Sequence, residues 1–219
     1  MKGLIIRDAN INDIPFIVET IVEAEKSGTN IFSYNTIFGL SAEEAKKYIE
    51  NMLLEEVDDC ELSISSFKIA VLNNIIVGAT AAWIEGFQGL SSTMLKGNLL
   101  NYTLPMECIE KAKLFSPILK DVHIEHTNNS IQLGLVYVKK KYRGMGLVSL
   151  LIDSHTGFLK QKRKEITEVY VQVFSNNLAA IKAYKKVGFS IVKLKKSSNK
   201  IILKLLPFNE KTLMLRELK

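Results

Sequence analysis

The 219-residue chain is 47% hydrophobic and 24% charged, an ordinary globular balance with length enough for a proper core. Its apolar runs stop short of the roughly 18 residues that a membrane-spanning helix needs. Charge also interrupts Met1-Lys2-Gly3-Leu4-Ile5-Ile6-Arg7-Asp8 too early for a signal peptide. The net charge of +6 is polarised: residues 1–130 hold 10 Lys/Arg against 18 Asp/Glu, whereas residues 131–219 hold 19 against 5. That pattern suggests an anion held by the C-terminal half, with the acidic half read either as a cationic acceptor site or as solvated helix faces. Cys60 and Cys108 are far apart and form no metal-ligand spacing, so buried reduced thiols and a cytoplasmic setting are expected.

Leu4 to Arg7 reads as a short strand. Asn10 or Asn12 can cap the following helix, which has Pro15 in its first turn and an apolar stripe of Ile14, Ile17, Val18, Ile21 and Val22. Ser27 to Leu40 reads as a loop, and Ser41-Ala42-Glu43-Glu44 as a capping box opening a helix to about Val57. Phe67 to Leu72 and Ile75 to Ile84 pair around a turn at Asn73-Asn74. Residues 86–130 hold a turn at Gly86 to Gly89, helical sequence from Met94 to Leu119 broken by Pro105 and Pro117, and a strand-like alternation over Asp121 to His126. Strand Ile131 to Val138, helix Gly146 to Lys164, strand Val169 to Phe174, helix Leu178 to Val187 and strand Phe189 to Leu194 follow. Lys200 to Leu206 and Thr212 to Leu218 read as further strands. No repeat, low-complexity tract or linker divides the chain, so one α/β domain over 1–219 is expected.

Two segments carry chemistry. Lys141-Tyr142-Arg143-Gly144-Met145-Gly146 is a basic glycine turn between a strand and a helix. It gathers backbone N–H groups and a helix N-terminus at one point, a site for a phosphate-rich ligand. Asn177 to Phe189 places an amide and the phenol of Tyr184 on a later helix, followed by Gly188-Phe189. A dinucleotide fingerprint is excluded, because the third glycine position is Ser149 and the next strand lacks the acidic residue after Glu168.

These segments, in this order and separation, resemble the GNAT superfamily of N-acetyltransferases over about residues 131–194. Lys141 stands where the family usually has Arg or Gln, which keeps the charge but loses the planar fork. The resemblance implies a mixed, mostly antiparallel sheet flanked by helices, here with a helical insertion at about 86–130. It implies acetyl-CoA as co-substrate and no metal. The pyrophosphate would lie on Lys141, Tyr142, Arg143, Gly144, Met145 and Gly146. The pantetheine arm would pair with the edge of Val136, Tyr137 and Val138 and with Asn177. Tyr184 would serve as general acid for the leaving thiolate, and Lys186, Lys182 or Lys185 would meet the 3′-phosphate.

An ammonium of pKa about 10.4 is neutral about once in 10³ at pH 7, so acyl transfer to an amine needs a base. The family's glutamate position on the fourth strand is Gln132, which can only orient water. Glu85 and the cluster His123-Ile124-Glu125-His126 are the candidates. Strand parity puts His123 and Glu125 on one face, taken as the cleft side, with His126 outside. The plainer reading of that cluster is a solvated polar edge strand, and a zinc site lacks a third ligand. In and beside the insertion, Trp83, Phe87, Tyr102 and Phe115 can wall an acceptor pocket, and Glu85, Glu107, Glu110 and Asp121 can attract a cation. The expected activity is direct acetyl transfer to an amine in a ternary complex, with the acidic half pointing to a small cationic amine, by a monomer or homodimer without nucleic-acid or membrane partners. A non-catalytic acyl-CoA-binding domain and a protein amino-group acetyltransferase are the alternatives.

Overall fold

The computed structural model describes residues 3–218. The N-terminal strand β1 (Leu4–Asp8) leads through a 3-10 turn, capped by Asn10 rather than Asn12, into α1 (Ile14–Lys26). Its stripe of Ile14, Ile17, Val18, Ile21 and Val22 is buried as the period predicts. The capping box at Ser41 opens α3 (Ala42–Leu54), with Ser41 and Glu44 bonded reciprocally. β2 (Phe67–Leu72) and β3 (Ile75–Ile84) turn at Asn73 and Asn74, both at positive φ as a tight hairpin requires.

The insertion supplies α4 (Ser92–Thr103) and α5 (Met106–Leu119), separated at Pro105. The chain then runs through β4 (Ile131–Val138), α6 (Leu147–Lys162), β5 (Glu168–Phe174), α7 (Leu178–Lys186), β6 (Ser190–Lys196) and β7 (Glu210–Glu217). All seven strands form one sheet in the order β1-β2-β3-β4-β5-β7-β6, antiparallel except for β4 against β5. This is a single α/β domain, as expected.

Three segments differ from the sequence expectation. The loop 27–40 contains α2 (Ser33–Phe38), because Phe32 and Tyr34 are buried against one another rather than displayed. Lys200 to Leu206 is not a strand but ends in α8 (Ile202–Leu205). Ile202, Leu205 and Leu206 are inside while Ile201 and Leu203 are exposed, a helical rather than an alternating spacing. Asp121 and Val122 close a 3-10 turn after α5, and His123 to His126 follow without a strand partner, since β4 already has β3 and β5 as neighbours. Their carbonyls are satisfied by side chains instead: Gln172 donates to Ile124 at 2.9 Å and Lys195 to His123 at 2.7 Å.

The junction that positions the site lies in the middle of the sheet. β4 and β5 pair only at Ile131, Gln132 and Leu133, whereas β5 stays paired with β7 along its whole length. Immediately beyond, Gly134 and Leu135 together oppose one residue of β3, between the pairs Ala82–Leu133 and Thr80–Val136. Such a bulge adds twist and bends its strand, so β4 leaves β5 and a wedge opens between them. Glycine is required here: a Cβ on Gly134 would lie 2.6 Å from the Trp83 ring.

Candidate active site

The wedge is a cleft of about 350 Å³. One side is formed by Leu135 and Val136 of β4 and by Asn177, Ala180 and Tyr184 of α7. Asn177 caps α7 by accepting from the Ala180 N–H at 3.1 Å, and its amide donates to Ser27 Oγ at the end of α1 at 3.2 Å. It therefore ties together helix ends on either side of the opening. The Tyr184 ring packs on Phe189, 5.8 Å between centroids, and its hydroxyl has no partner among the described residues. Burial raises its pKa, which keeps the phenol protonated.

At the far end of β4 the chain makes a 3-10 turn and enters α6 through Gly144 and Gly146, at φ +81 and +78. A Cβ at either would meet nothing within 4 Å, and no side chain caps α6. The turn is thus an open concavity facing the unclaimed N–H groups of a 16-residue helix. Arg143 Nε is engaged with the Val138 carbonyl at 3.0 Å, so its side chain braces the turn.

The other side of the cleft is polar and comes from many elements: Glu25, Glu61, Lys96, His123, His126 and Lys211, with Trp83, Ser92 and Gln132. Lys96 and Glu61 form an ion pair over the Tyr34 ring. Burial resists ionisation of both, but their mutual attraction lowers the Glu61 pKa and raises that of Lys96. Behind this wall lies the buried carboxylate of Glu85. It accepts from Trp83 Nε1 at 2.9 Å, Ser92 N–H at 2.9 Å and Ser92 Oγ at 2.6 Å, with His126 Nδ1 at 3.3 Å. Burial opposes its charge, yet these donors hold its pKa down at about 2. Because Ser92 Oγ spends its proton on Glu85, it can only accept from His126 Nδ1, 2.9 Å away. The imidazole proton therefore sits on Nδ1, and Nε2 has no partner among the described residues.

Over residues 40–189 the sequence matches the family described as Acetyltransferase (GNAT) family. The chain belongs to that family. No curated protein matches it in sequence. An N-acetyltransferase structure from Staphylococcus aureus is 16% identical and superimposes with TM-score 0.67, covering 96% of this chain and 99% of the other. A ribosomal-protein-alanine N-acetyltransferase from Brucella melitensis is 16% identical, with TM-score 0.55 and coverage of 98% and 99%. An agmatine N-acetyltransferase is 11% identical, with TM-score 0.55 and coverage of 99% and 100%. At these identities the structures share the fold, and the chain is a GNAT enzyme.

The GNAT-derived positions on the donor side come together: Val136, Asn177 and Tyr184 line the cleft, and the glycine turn lies at the end of the same strand. Val138 is buried, and Tyr137 gives its hydroxyl to Glu19 at 3.0 Å, so neither side chain lines the cleft. Lys141 and Met145 are exposed on the turn, Tyr142 is half-buried there, and Lys182, Lys185 and Lys186 are exposed on α7.

The polar side requires corrections. Glu85, fully bonded and held near pKa 2, is too weak a base and stands behind the wall rather than on it. Glu125 faces an outer hollow with Lys193 and Lys195, and His123, exposed, lines both that hollow and the cleft. The parity of 122–126 holds but its sides are exchanged: Val122 and Ile124 are buried, and His126 turns inward with them. Two apolar residues at alternate positions were the signal for the inner face. Of the proposed aromatic wall only Trp83 remains; Phe87 and Tyr102 are exposed, and Phe115 packs in a separate cluster with Val122 and Ile202. Glu107 and Glu110 are exposed on α5, and Asp121 accepts from Ser197 at 2.6 Å. Glu25, Glu61, Lys96 and Lys211 lacked any local pattern, since the fold alone brings them together.

Proposed function

We propose that this enzyme transfers the acetyl group of acetyl-CoA directly to a small amine bound in the same cleft. The observation that carries the reading is the bulged β4 leaving β5 beside Tyr184, with the open glycine turn at the end of the same strand. The fit is chemical as well as topological. The bare Gly144–Gly146 concavity and uncapped α6 N-terminus suit a pyrophosphate, and the β4 edge beyond Leu133, free on the β5 side, suits an amide-rich arm. Acetyl-CoA supplies the thioester.

The protein's residues then have distinct tasks. A backbone N–H in the Gly134–Val138 stretch of β4 stabilises the oxyanion that develops on the thioester carbonyl. His126 Nε2 takes a proton from the bound ammonium, freeing the amine lone pair to attack, with Nδ1–H held by Ser92 and Glu85. As the C–S bond breaks, Tyr184 hydrogen-bonds the thiolate and supplies its proton, which solvent then replaces. Glu85 is a positioning residue in this scheme. The insertion 86–130 serves as the acceptor-side wall through Ser92, Thr93, Lys96 and His126.

The cleft volume favours a small acceptor. Glu25 and Glu61 are balanced by Lys96 and Lys211, so the lining gives no net preference for a plain cation. Tyr184→Phe tests the assignment. Acetyl-CoA binding should persist while thiol release with a productive amine falls at least tenfold; unchanged turnover would remove Tyr184 from the chemistry.

A further inference from the structure

Among the described residues, one cation lining the cleft has no counter-ion. Lys96 is paired with Glu61, and Lys195 donates to the Lys120 and His123 carbonyls at 3.1 and 2.7 Å. Lys211 is different. It comes from β7 where that strand pairs with Phe174 of β5, and it lines the cleft half-buried, with its ammonium 5.1 Å from the centroid of the Phe174 ring. Among the described residues it makes no hydrogen bond and no ion pair.

The surrounding charges do not close on it. Glu25 accepts from Ser33 Oγ, Glu61 is held by Lys96, and Glu85 is saturated behind the wall. Burial lowers the Lys211 pKa despite the pull of Glu25. His123 is pushed the same way, first by burial and then by Lys211, His126 and Lys195. Lys211 therefore carries its charge beside the two imidazoles, with no carboxylate bonded to it among the described residues. A partly buried cation without a counter-ion is a ready partner for an anionic ligand.

We infer that the acceptor is a small amine that also carries an acidic group, and that Lys211 binds this group while the amine faces His126. The inference rests on the acetyl-transfer reading above and specifies its acceptor. A carboxylate or a phosphate monoester would each satisfy the ammonium. An otherwise identical amine with a carboxamide can accept a hydrogen bond from Lys211 but brings no counter-charge, a loss that polar sites turn into discrimination.

The test is a panel of matched acceptors: amino acids of graded size, their carboxamides, aminoalkyl phosphates, and simple diamines. Thiol release from acetyl-CoA gives kcat/KM, and calorimetry in the presence of coenzyme A gives binding without chemistry. Wild type should prefer an acid over its carboxamide by roughly tenfold or more. The carboxylate and phosphate arms identify which acid is used. In Lys211→Met that ratio should collapse towards one, and in Lys211→Arg most of it should remain, with circular dichroism confirming that both variants fold. Equal use of acid and carboxamide by wild type, a preference for diamines, or an unchanged ratio in Lys211→Met would overturn the assignment. Absence of thiol release across the whole panel would sink the acetyl-transfer reading instead. The acid site would then stand or fall on whether calorimetric binding of acids depends on Lys211.

Discussion

The donor side of the cleft is shaped by backbone: a bulge at Gly134–Leu135, a strand edge released beyond Leu133, and glycines at positive φ before an uncapped helix. The acceptor side is shaped by side chains converging from α1, the segment after α3, α4, the 123–126 segment and β7. Backbone geometry depends on contiguous sequence and leaves a local signature. Converging side chains depend on the whole fold and leave none. On the proposed reading, the donor side recognises a constant ligand with groups that substitution barely alters. The acceptor side can be respecified by single charge changes, and its failures should be electrostatic.

The largest test of that contrast is His126→Gln. A positioned general base contributes on the order of 10²–10⁴ in rate, so kcat should fall by about 10² or more at pH 7 while acetyl-CoA affinity is retained. The deficit should shrink as pH rises, because a larger fraction of the amine then arrives unprotonated. Steady-state profiles from pH 6 to 10 measure this. A deficit constant across that range would show that His126 is structural. Glu85→Gln should give a smaller loss with the same pH trend, since it acts through the orientation of His126.

What was legible in the sequence follows the same division. The hairpin at Asn73-Asn74, the capping box at Ser41, the stripe of α1 and the glycine turn all lie within a few residues of their own causes, and all appear in the structure. That Tyr184 and Asn177 stand in the same cleft was legible because one helix and its cap carry both. Lys211 was not, since its neighbours Phe174 and Glu25 are distant in the chain and nothing around 211 marks a cleft. His126 was misplaced by treating 121–126 as a strand with an unknown inner face, although Val122 and Ile124 already marked it. Lys200 to Leu206 failed for a related reason: a short apolar run fits a strand and a helical turn equally until its burial is known.

Acid should distinguish the supports of the two sides. His155 of α6 is buried beneath β3 with Nδ1 unpartnered, and its pKa is pushed down to about 3. Burial is the main cause, followed by Lys68 from β2 and, further down, Lys162 of α6; Asp8 from β1 and a bond to the Thr80 backbone act in the opposite direction. The unfolded imidazole titrates near 6.5, so the unfolded chain takes up the proton first. Stability from the neutral ring is complete above pH 6.5 and is lost as pH falls towards 3, at up to about 1.4 kcal/mol per pH unit. Urea denaturation of His155→Phe should remove that part of the acid slope. Superimposable slopes for wild type and variant would show that other groups carry it.

The glycine turn gives a smaller and more local effect. Gly146 has φ +78, where an ordinary side chain costs about 1–2 kcal/mol. Gly146→Val should therefore raise the KM for acetyl-CoA about tenfold, with the ranking of acceptors unchanged. Gly146→Asn, which tolerates the left-handed region better, should lie in between. A change in acceptor ranking would mean that the two sides of the cleft are coupled through α6.

The smallest effect is expected at Asn177, where a cap and a ligand contact are superimposed. Asn177→Ala removes the acceptor for the Ala180 N–H and should cost about 1 kcal/mol of stability. Asn177→Ser keeps a capping oxygen but loses the amide that reaches Ser27, and Ser27→Ala removes that link while leaving the amide in place. If Asn177 binds the acyl donor through its amide, Asn177→Ser should raise the KM for acetyl-CoA several-fold at near-normal stability, whereas Ser27→Ala should leave it almost unchanged. Equal KM increases in these two variants would instead assign Asn177 to holding α1 and α7 at a fixed separation. The donor side would then depend on side-chain convergence after all, at the one point where it touches the end of α1.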